Sequence, residues 1–219
     1  RTEREWSNDY WRTTLPAHKP ISLVTGGAGF LGSNLCRRLL KMGHIVICLD
    51  NFETGSKRNI ESLLEDENFL LKNADITNKQ FFPRLDFIWH LACPASPPKY
   101  QRDGYKTLQT SLIGTMNVLE LVKTHKCPLL FTSTSEIYGD PLEHPQKETY
   151  WGNVNTVGPR SCYDEGKRCA ESLIYEFRKY VPDVQLKIVR IFNTFGPYMD
   201  IDDGRVITNY IKNYLEDKP

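Results

Sequence analysis

Tyr163 and Lys167 stand four residues apart in Tyr163-Asp-Glu-Gly-Lys167. On a helix that spacing puts both side chains on one face. A free phenol titrates near ~10 and is a poor base at neutral pH. A neighbouring ammonium, with the positive charge of an oxidised nicotinamide, would stabilise phenolate and bring the group into working range. Such a pair alone is common on solvated helices. It acquires meaning from Gly26-Gly-Ala-Gly29-Phe30-Leu31-Gly32, which lies about 130 residues upstream. Glycines allow a tight turn and let backbone N–H groups approach phosphate oxygens, and a following helix adds its positive end. A pyrophosphate seat followed by an acid–base tyrosine points to hydride transfer with a bound dinucleotide.

Other residues fit that chemistry. Asp50 ends an apolar run 18 residues after Gly32. A carboxylate there can accept from adenosine ribose hydroxyls and would repel a 2′-phosphate. Asn51 and Phe52 follow it rather than an arginine, so NAD is expected in preference to NADP. Asp75 and Ile76 close a later run and could hold the adenine edge, although an Asp there also suits a plain turn. Thr132-Ser-Thr134-Ser135-Glu136 offers hydroxyls able to bind a sugar hydroxyl and relay its proton. Glu136 adds a carboxylate for acid–base work or substrate orientation.

These residues must be held by regular elements. Apolar runs at 21–25, 45–49, 69–71, 87–91, 129–132 and 186–192 predict strands. Helical spacing predicts helices at 30–42, 56–65, 105–124 and 162–180. Strands that read as continuous apolar runs and alternate with helices predict an α/β fold with a parallel sheet covered on both faces. Ligands in such folds bind beyond the carboxyl ends of the strands, where the segments named above fall.

Composition narrows the function classes. With 219 residues and 40% hydrophobic content, the chain can bury a core. A formal net charge of +1 gives no electrostatic case for nucleic acid. No apolar run reaches the ~18 residues of a membrane helix. The six cysteines include no Cys-x-x-Cys pair and are expected to be reduced, with Cys162 half-exposed. A cytoplasmic location is expected, or a Golgi lumen if an N-terminal anchor has been removed. The start at Arg1 and the stop just after a helical pattern suggest an excerpt of a longer protein.

Six stretches carry a family resemblance: Thr25–Gly32, Asp50–Gly55, His90–Pro98, Ser133–Pro141, Gly158–Arg168 and Arg190–Pro197. Along them the chain resembles the extended short-chain dehydrogenase/reductase family of nucleotide-sugar enzymes, and within it the branch that decarboxylates UDP-glucuronate. The resemblance implies a Rossmann-type doubly wound sheet, NAD as cofactor, a UDP-sugar substrate and a homodimer formed through the helices at 105–124 and 162–180. Domain limits follow: an arm at 1–20, an NAD-binding domain at 21–196, and the start of a truncated substrate lobe at 197–219.

The same resemblance assigns site residues. Thr134, Tyr163 and Lys167 would be catalytic, with Glu136 as a helper. Cofactor contacts would come from Gly26, Gly29, Phe30, Leu31, Gly32, Asp50, Asn51, Phe52, Thr54, Gly55, Asp75, Ile76, Leu91, Tyr163, Lys167 and Thr194. Pro94, Ser96, Glu136, Arg160, Asn193 and Arg205 would meet the substrate. The implied activity oxidises C4 of the sugar, releases CO₂ and returns the hydride to give UDP-xylose. Gln109, Ser111, Tyr198 and Asp200 depart from the branch, which carries lysine, asparagine and a more basic run there. A 4,6-dehydratase or 4-epimerase is the alternative enzyme, though a dehydratase would carry Asp-Glu at Ser135-Glu136. A non-catalytic NAD-binding scaffold is the third reading.

Overall fold

A computed structural model describes residues 18–218. The predicted N-terminal arm falls, up to residue 17, outside the described residues. Six strands form one parallel sheet: β1 (Ile21–Thr25), β2 (Ile45–Asp50), β3 (Phe69–Asn73), β4 (Phe87–His90), β5 (Leu129–Thr134) and β6 (Leu186–Ile191). Their order is β3-β2-β1-β4-β5-β6. The direction of winding reverses between β1 and β4, where Thr25 and His90 are register partners. That reversal opens a crevice at the strands' carboxyl ends.

Successive side chains of a strand point to opposite faces, and here both faces are covered. Ile45, Ile47 and Leu49 of β2 join a core cluster with Val118, Val122, Ala170 and Ile174, while Val46 and Cys48 join another with Cys36 and Leu39. Every residue of β2 is buried. Each such Ile or Leu contributes roughly 1.5–3 kcal/mol by leaving water, which is why the strands read as unbroken apolar runs.

The helices are α1 (Phe30–Lys41), α2 (Pro97–Tyr100), α3 (Gly104–Gln109), α4 (Thr115–His125), α5 (Ser161–Phe177) and α6 (Val206–Leu215). The predicted helix at 105–124 is not uniform. Thr110–Gly114 winds as a wide π turn between α3 and α4. It sits where the chain squeezes past two neighbours: a Cβ on Gly114 would lie 2.9 Å from Ile76 Cγ2, and one on Gly166 would lie 3.0 Å from Ser111 Oγ. The predicted helix at 56–65 is replaced by two 3-10 turns, Lys57–Asn59 and Glu61–Leu63. Tertiary bonds divert this segment, because Asn59 Nδ2 donates to Ala28 O at 3.0 Å and Arg37 Nη2 donates to Asn59 O at 2.6 Å.

Among the described residues β6 has a neighbour on one side only, and its Ile188 and Val189 stay 36% and 38% exposed. No helix among them is long and apolar enough to cross a membrane. All six cysteines are free; Cys162, expected half-exposed, is buried.

Candidate active site

The turn after β1 is built as the glycine spacing requires. Gly26 adopts φ +69°, and a Cβ there would lie 2.9 Å from the Ala92 backbone nitrogen. A side chain at Gly32 would collide with the Gly26 carbonyl oxygen. Gly29 N donates to Gly26 O at 3.1 Å and closes the turn. Gly29 is also the N-cap of α1, and no side chain caps it. The first N–H groups of α1 are therefore left for an anionic ligand, with the helix dipole behind them.

Asp50 is buried at the end of β2. Its Oδ2 accepts from Ala28 N and its Oδ1 from Phe52 N, each at 2.9 Å. Burial pushes its carboxyl pKa up, and those two N–H bonds pull it back. Phe52 itself does not line the cavity. Its backbone is left-handed, with φ 58°, and its ring packs against the apolar cluster under α1. Asp75 accepts from Lys106 Nζ at 2.6 Å, Asn51 Nδ2 at 3.1 Å and Thr77 N at 2.8 Å. Burial opposes ionisation, but the bonds from Lys106 first and then Thr77 hold Asp75 at about 2.

One cavity of about 940 Å³ runs from this turn across the crevice. Apart from Phe52, every residue the sequence assigns to cofactor, substrate or catalysis lines it. Gly26, Gly29, Phe30, Leu31, Gly32, Asp50, Asn51, Thr54, Gly55, Asp75 and Ile76 stand at one end. Leu91, Pro94, Ser96, Thr134, Glu136, Arg160, Tyr163, Lys167, Asn193, Thr194 and Arg205 line it as well. Thr134 closes β5, and Tyr163 and Lys167 lie on α5, which packs against it.

The Tyr163–Lys167 pair differs from expectation in its electrostatics. Burial pushes the Tyr163 phenol well above its ordinary value; a hydrogen bond with Thr134 and the charge of Arg205 oppose this. One N–H of Lys167 is engaged by a strand carbonyl: its Nζ donates to Thr132 O at 2.8 Å and lies 4.7 Å from the centre of the Phe131 ring. Burial also lowers the Lys167 pKa. Arg160 and Glu136 form an ion pair on the cavity wall.

Three of the departures from the family pattern, Ser111, Tyr198 and Asp200, meet local partners. The Arg37 guanidinium stacks over the Tyr198 ring at 3.8 Å, and Lys99 pairs with Asp200 at 2.6 Å. Ser111 Oγ lies 3.4 Å from Cys93 Sγ. Arg205 pairs with Asp203.

Sequence reasoning missed Tyr100 and Cys93, which also line the cavity. A tyrosine after Pro-Pro-Lys reads as core, and nothing in its spacing says otherwise. The hydroxyls of Ser96 and Ser133 are buried without a hydrogen-bond partner in the described chain. Both serines line the cavity. Unpaired buried hydroxyls are costly unless a ligand or water serves them. With the two glycines that a Cβ would block and the doubly held Asp50, they make a wall that fits a polar, phosphate-bearing dinucleotide.

Comparison with known proteins agrees with this architecture. The model of the NAD dependent epimerase/dehydratase family matches residues 22–219. UDP-glucuronic acid decarboxylase 1 of Xenopus tropicalis is 52% identical over 194 residues, which are 89% of this chain and 46% of that protein. The crystal structure of UDP-glucuronic acid 4-epimerase from Bacillus cereus in complex with NAD superposes with TM-score 0.78 at 29% identity, covering 91% of this chain and 64% of that one. UDP-glucose 4-epimerase of Thermotoga maritima, solved with UDP-glucose, gives TM-score 0.80 at 25% identity, covering 90% and 64%. The chain thus spans about half the length of the curated relatives it matches.

Proposed function

The chain belongs to the NAD dependent epimerase/dehydratase family, and from that premise we propose that it is the NAD-binding part of a UDP-glucuronate decarboxylase that forms UDP-xylose through a C4-keto sugar. One observation carries the reading. Thr134, Glu136, Arg160, Tyr163 and Lys167 share a cavity with a glycine turn and uncapped helix that suit a pyrophosphate. The likeness to UDP-glucuronic acid decarboxylases supports the choice of branch. Residues 21–196 would form the cofactor domain and 197–219 the beginning of a substrate lobe.

The glycine turn and the first N–H groups of α1 would hold the NAD pyrophosphate, Asp50 the adenosine ribose, and Lys167 the nicotinamide ribose. When bound, NAD supplies the acceptor and donor of hydride. Tyr163 takes the proton of the C4 hydroxyl, and Thr134, whose hydroxyl favours the ionised phenol, would help to orient it. A cationic ligand near Tyr163 would offset the burial that keeps its phenol protonated. Arg160 would hold the substrate carboxylate, which would release Glu136 from their ion pair for proton transfer. A ketone at C4 stands β to that carboxylate, so the electrons left by departing CO₂ spread onto the ketone oxygen. The protein's part is to orient the groups and move protons.

We also read the exposed Tyr105, Met116 and Tyr175, on the adjacent helices α3, α4 and α5, as a face that pairs with a second copy. Sedimentation at micromolar concentration tests this; a monomer counts against it. Incubation of the full-length protein with UDP-glucuronate, followed by mass spectrometry, tests the activity. UDP-xylose and CO₂ are expected. A product that keeps all six sugar carbons would refute decarboxylation and favour the epimerase or dehydratase alternative.

A further inference from the structure

Tyr100 closes α2, a single turn, and is 1% exposed. Its ring lies on that of Tyr163, with centroids 4.8 Å apart and planes 3° from parallel. Parallel rings at that separation form the offset stack that aromatic quadrupoles favour. The Tyr100 carbonyl accepts from Thr107 Oγ1 at 3.1 Å and from Cys162 Sγ at 3.6 Å. The end of α2 is thereby tied to α3 and to the residue directly before Tyr163. Behind them, a Cβ on Gly104 would lie 3.2 Å from Cys162 Cβ, so α3 meets α5 closely. The Tyr100 hydroxyl, by contrast, makes no hydrogen bond in the described chain, and only the charge of Arg160 acts on it favourably. Ring and carbonyl, not the phenol oxygen, hold this residue in place.

A base must present its oxygen at one point, and misplacement by ~1 Å can cost 10²-fold in rate. The direction of a tyrosine side chain is set by what packs against it. Lys167, one turn along α5, is engaged by the Thr132 carbonyl. We propose that Tyr100 is a positioning residue whose stacked ring confines the Tyr163 ring and so fixes where its hydroxyl sits. The catalytic consequence rests on the reading of Tyr163 as the base; the positioning itself does not.

The test has two arms on the full-length protein. In the first, tyrosine is labelled with carbon-13 and the Tyr163 signals are assigned with Tyr163→Phe. A fixed ring flips slowly and gives two signals for its ε positions. The parent and Tyr100→Phe are expected to show two; Tyr100→Leu is expected to show one averaged signal. In the second arm, Tyr100→Leu lowers kcat by ~10-fold or more, with KM and NAD affinity within about threefold, while Tyr100→Phe stays within about threefold of the parent. Should the leucine variant not fold, as judged by NAD titration, Tyr100→Met carries the same comparisons. An averaged signal in the parent, or unchanged signals in Tyr100→Leu, would overturn the proposal. So would equal rate losses in the phenylalanine and leucine variants, which would assign the effect to the hydroxyl. Absence of turnover in the parent would sink the functional reading alone, leaving the ring-flip result to decide this one.

Discussion

Replacing His90 by Gln should make the stability of this protein less sensitive to acid. His90 ends β4 and is 1% exposed. Its Nδ1 lies 2.7 Å from Thr25 Oγ1 and its Nε2 3.2 Å from Thr115 Oγ1. Burial first, and then the charge of Lys167, lower its pKa to about 3. An unfolded His takes its proton near ~6.5. The folded pKa is thus depressed, so the unfolded chain binds the proton first as pH falls. Stability from this group is complete above ~6.5 and is lost between ~6.5 and ~3, at about 1.4 kcal/mol per pH unit. The loss reaches roughly 2 kcal/mol at pH ~5 and about 5 kcal/mol at pH ~3. At pH ~7.5, His90→Gln should be the less stable protein, by about 1–3 kcal/mol for disturbed buried bonds. At pH ~5 that deficit should shrink by about 2 kcal/mol. Carboxylates titrate in both proteins and cancel in the difference. Urea denaturation at the two pH values measures it, and a deficit constant to within ~0.5 kcal/mol would refute the reasoning.

Three further outcomes are expected. Tyr163→Phe in the full-length protein should leave NAD affinity nearly unchanged and lower turnover at least ~10²-fold; steady-state rates showing more than about a tenth of the activity would remove the residue from the mechanism. Gly32→Ala drives a Cβ into the Gly26 carbonyl, so NAD affinity by fluorescence titration should fall ~10-fold or more, and unchanged affinity would contradict the proposed pyrophosphate seat. NAD should bind more tightly than NADP because Asp50 is held at the carboxyl end of β2, and equal affinities by calorimetry would count against a ribose-binding Asp50.

The sheet was legible because burial on both faces leaves an unambiguous trace. Each of the six apolar runs is a strand; β2, β3 and β5 run one or two residues beyond the expected ends, and β4 and β6 stop one residue short. The glycine spacing was legible for a related reason, since backbone collisions admit only one residue type. Segment 56–65 was not, because Ile60, Leu63 and Leu64 have helical spacing while the bonds to Ala28 and Arg37 that divert it are tertiary. The π turn was equally hidden, for its close neighbours Ile76 and Gly166 are distant in sequence. In the cavity, residue types and spacing gave the placement of Tyr163, Thr134 and Asp50. They gave neither the engagement of Lys167 by a strand carbonyl nor the burial of Tyr100, because both depend on where α2 and α5 pack.

The one-sided pairing of β6 has a practical side. An uncovered strand margin is adhesive: its free N–H and C=O groups can accept a strand from another molecule and continue the sheet across two copies. Proteins commonly guard such margins with charge. Of the two cations on β6, Arg190 is already committed to Glu171, Tyr138 and the Glu148 carbonyl. Lys187 is the exposed cation of the two among the described residues. Handled on its own, this chain should therefore aggregate through sheet extension as concentration rises, and a Lys187→Val change should hasten it.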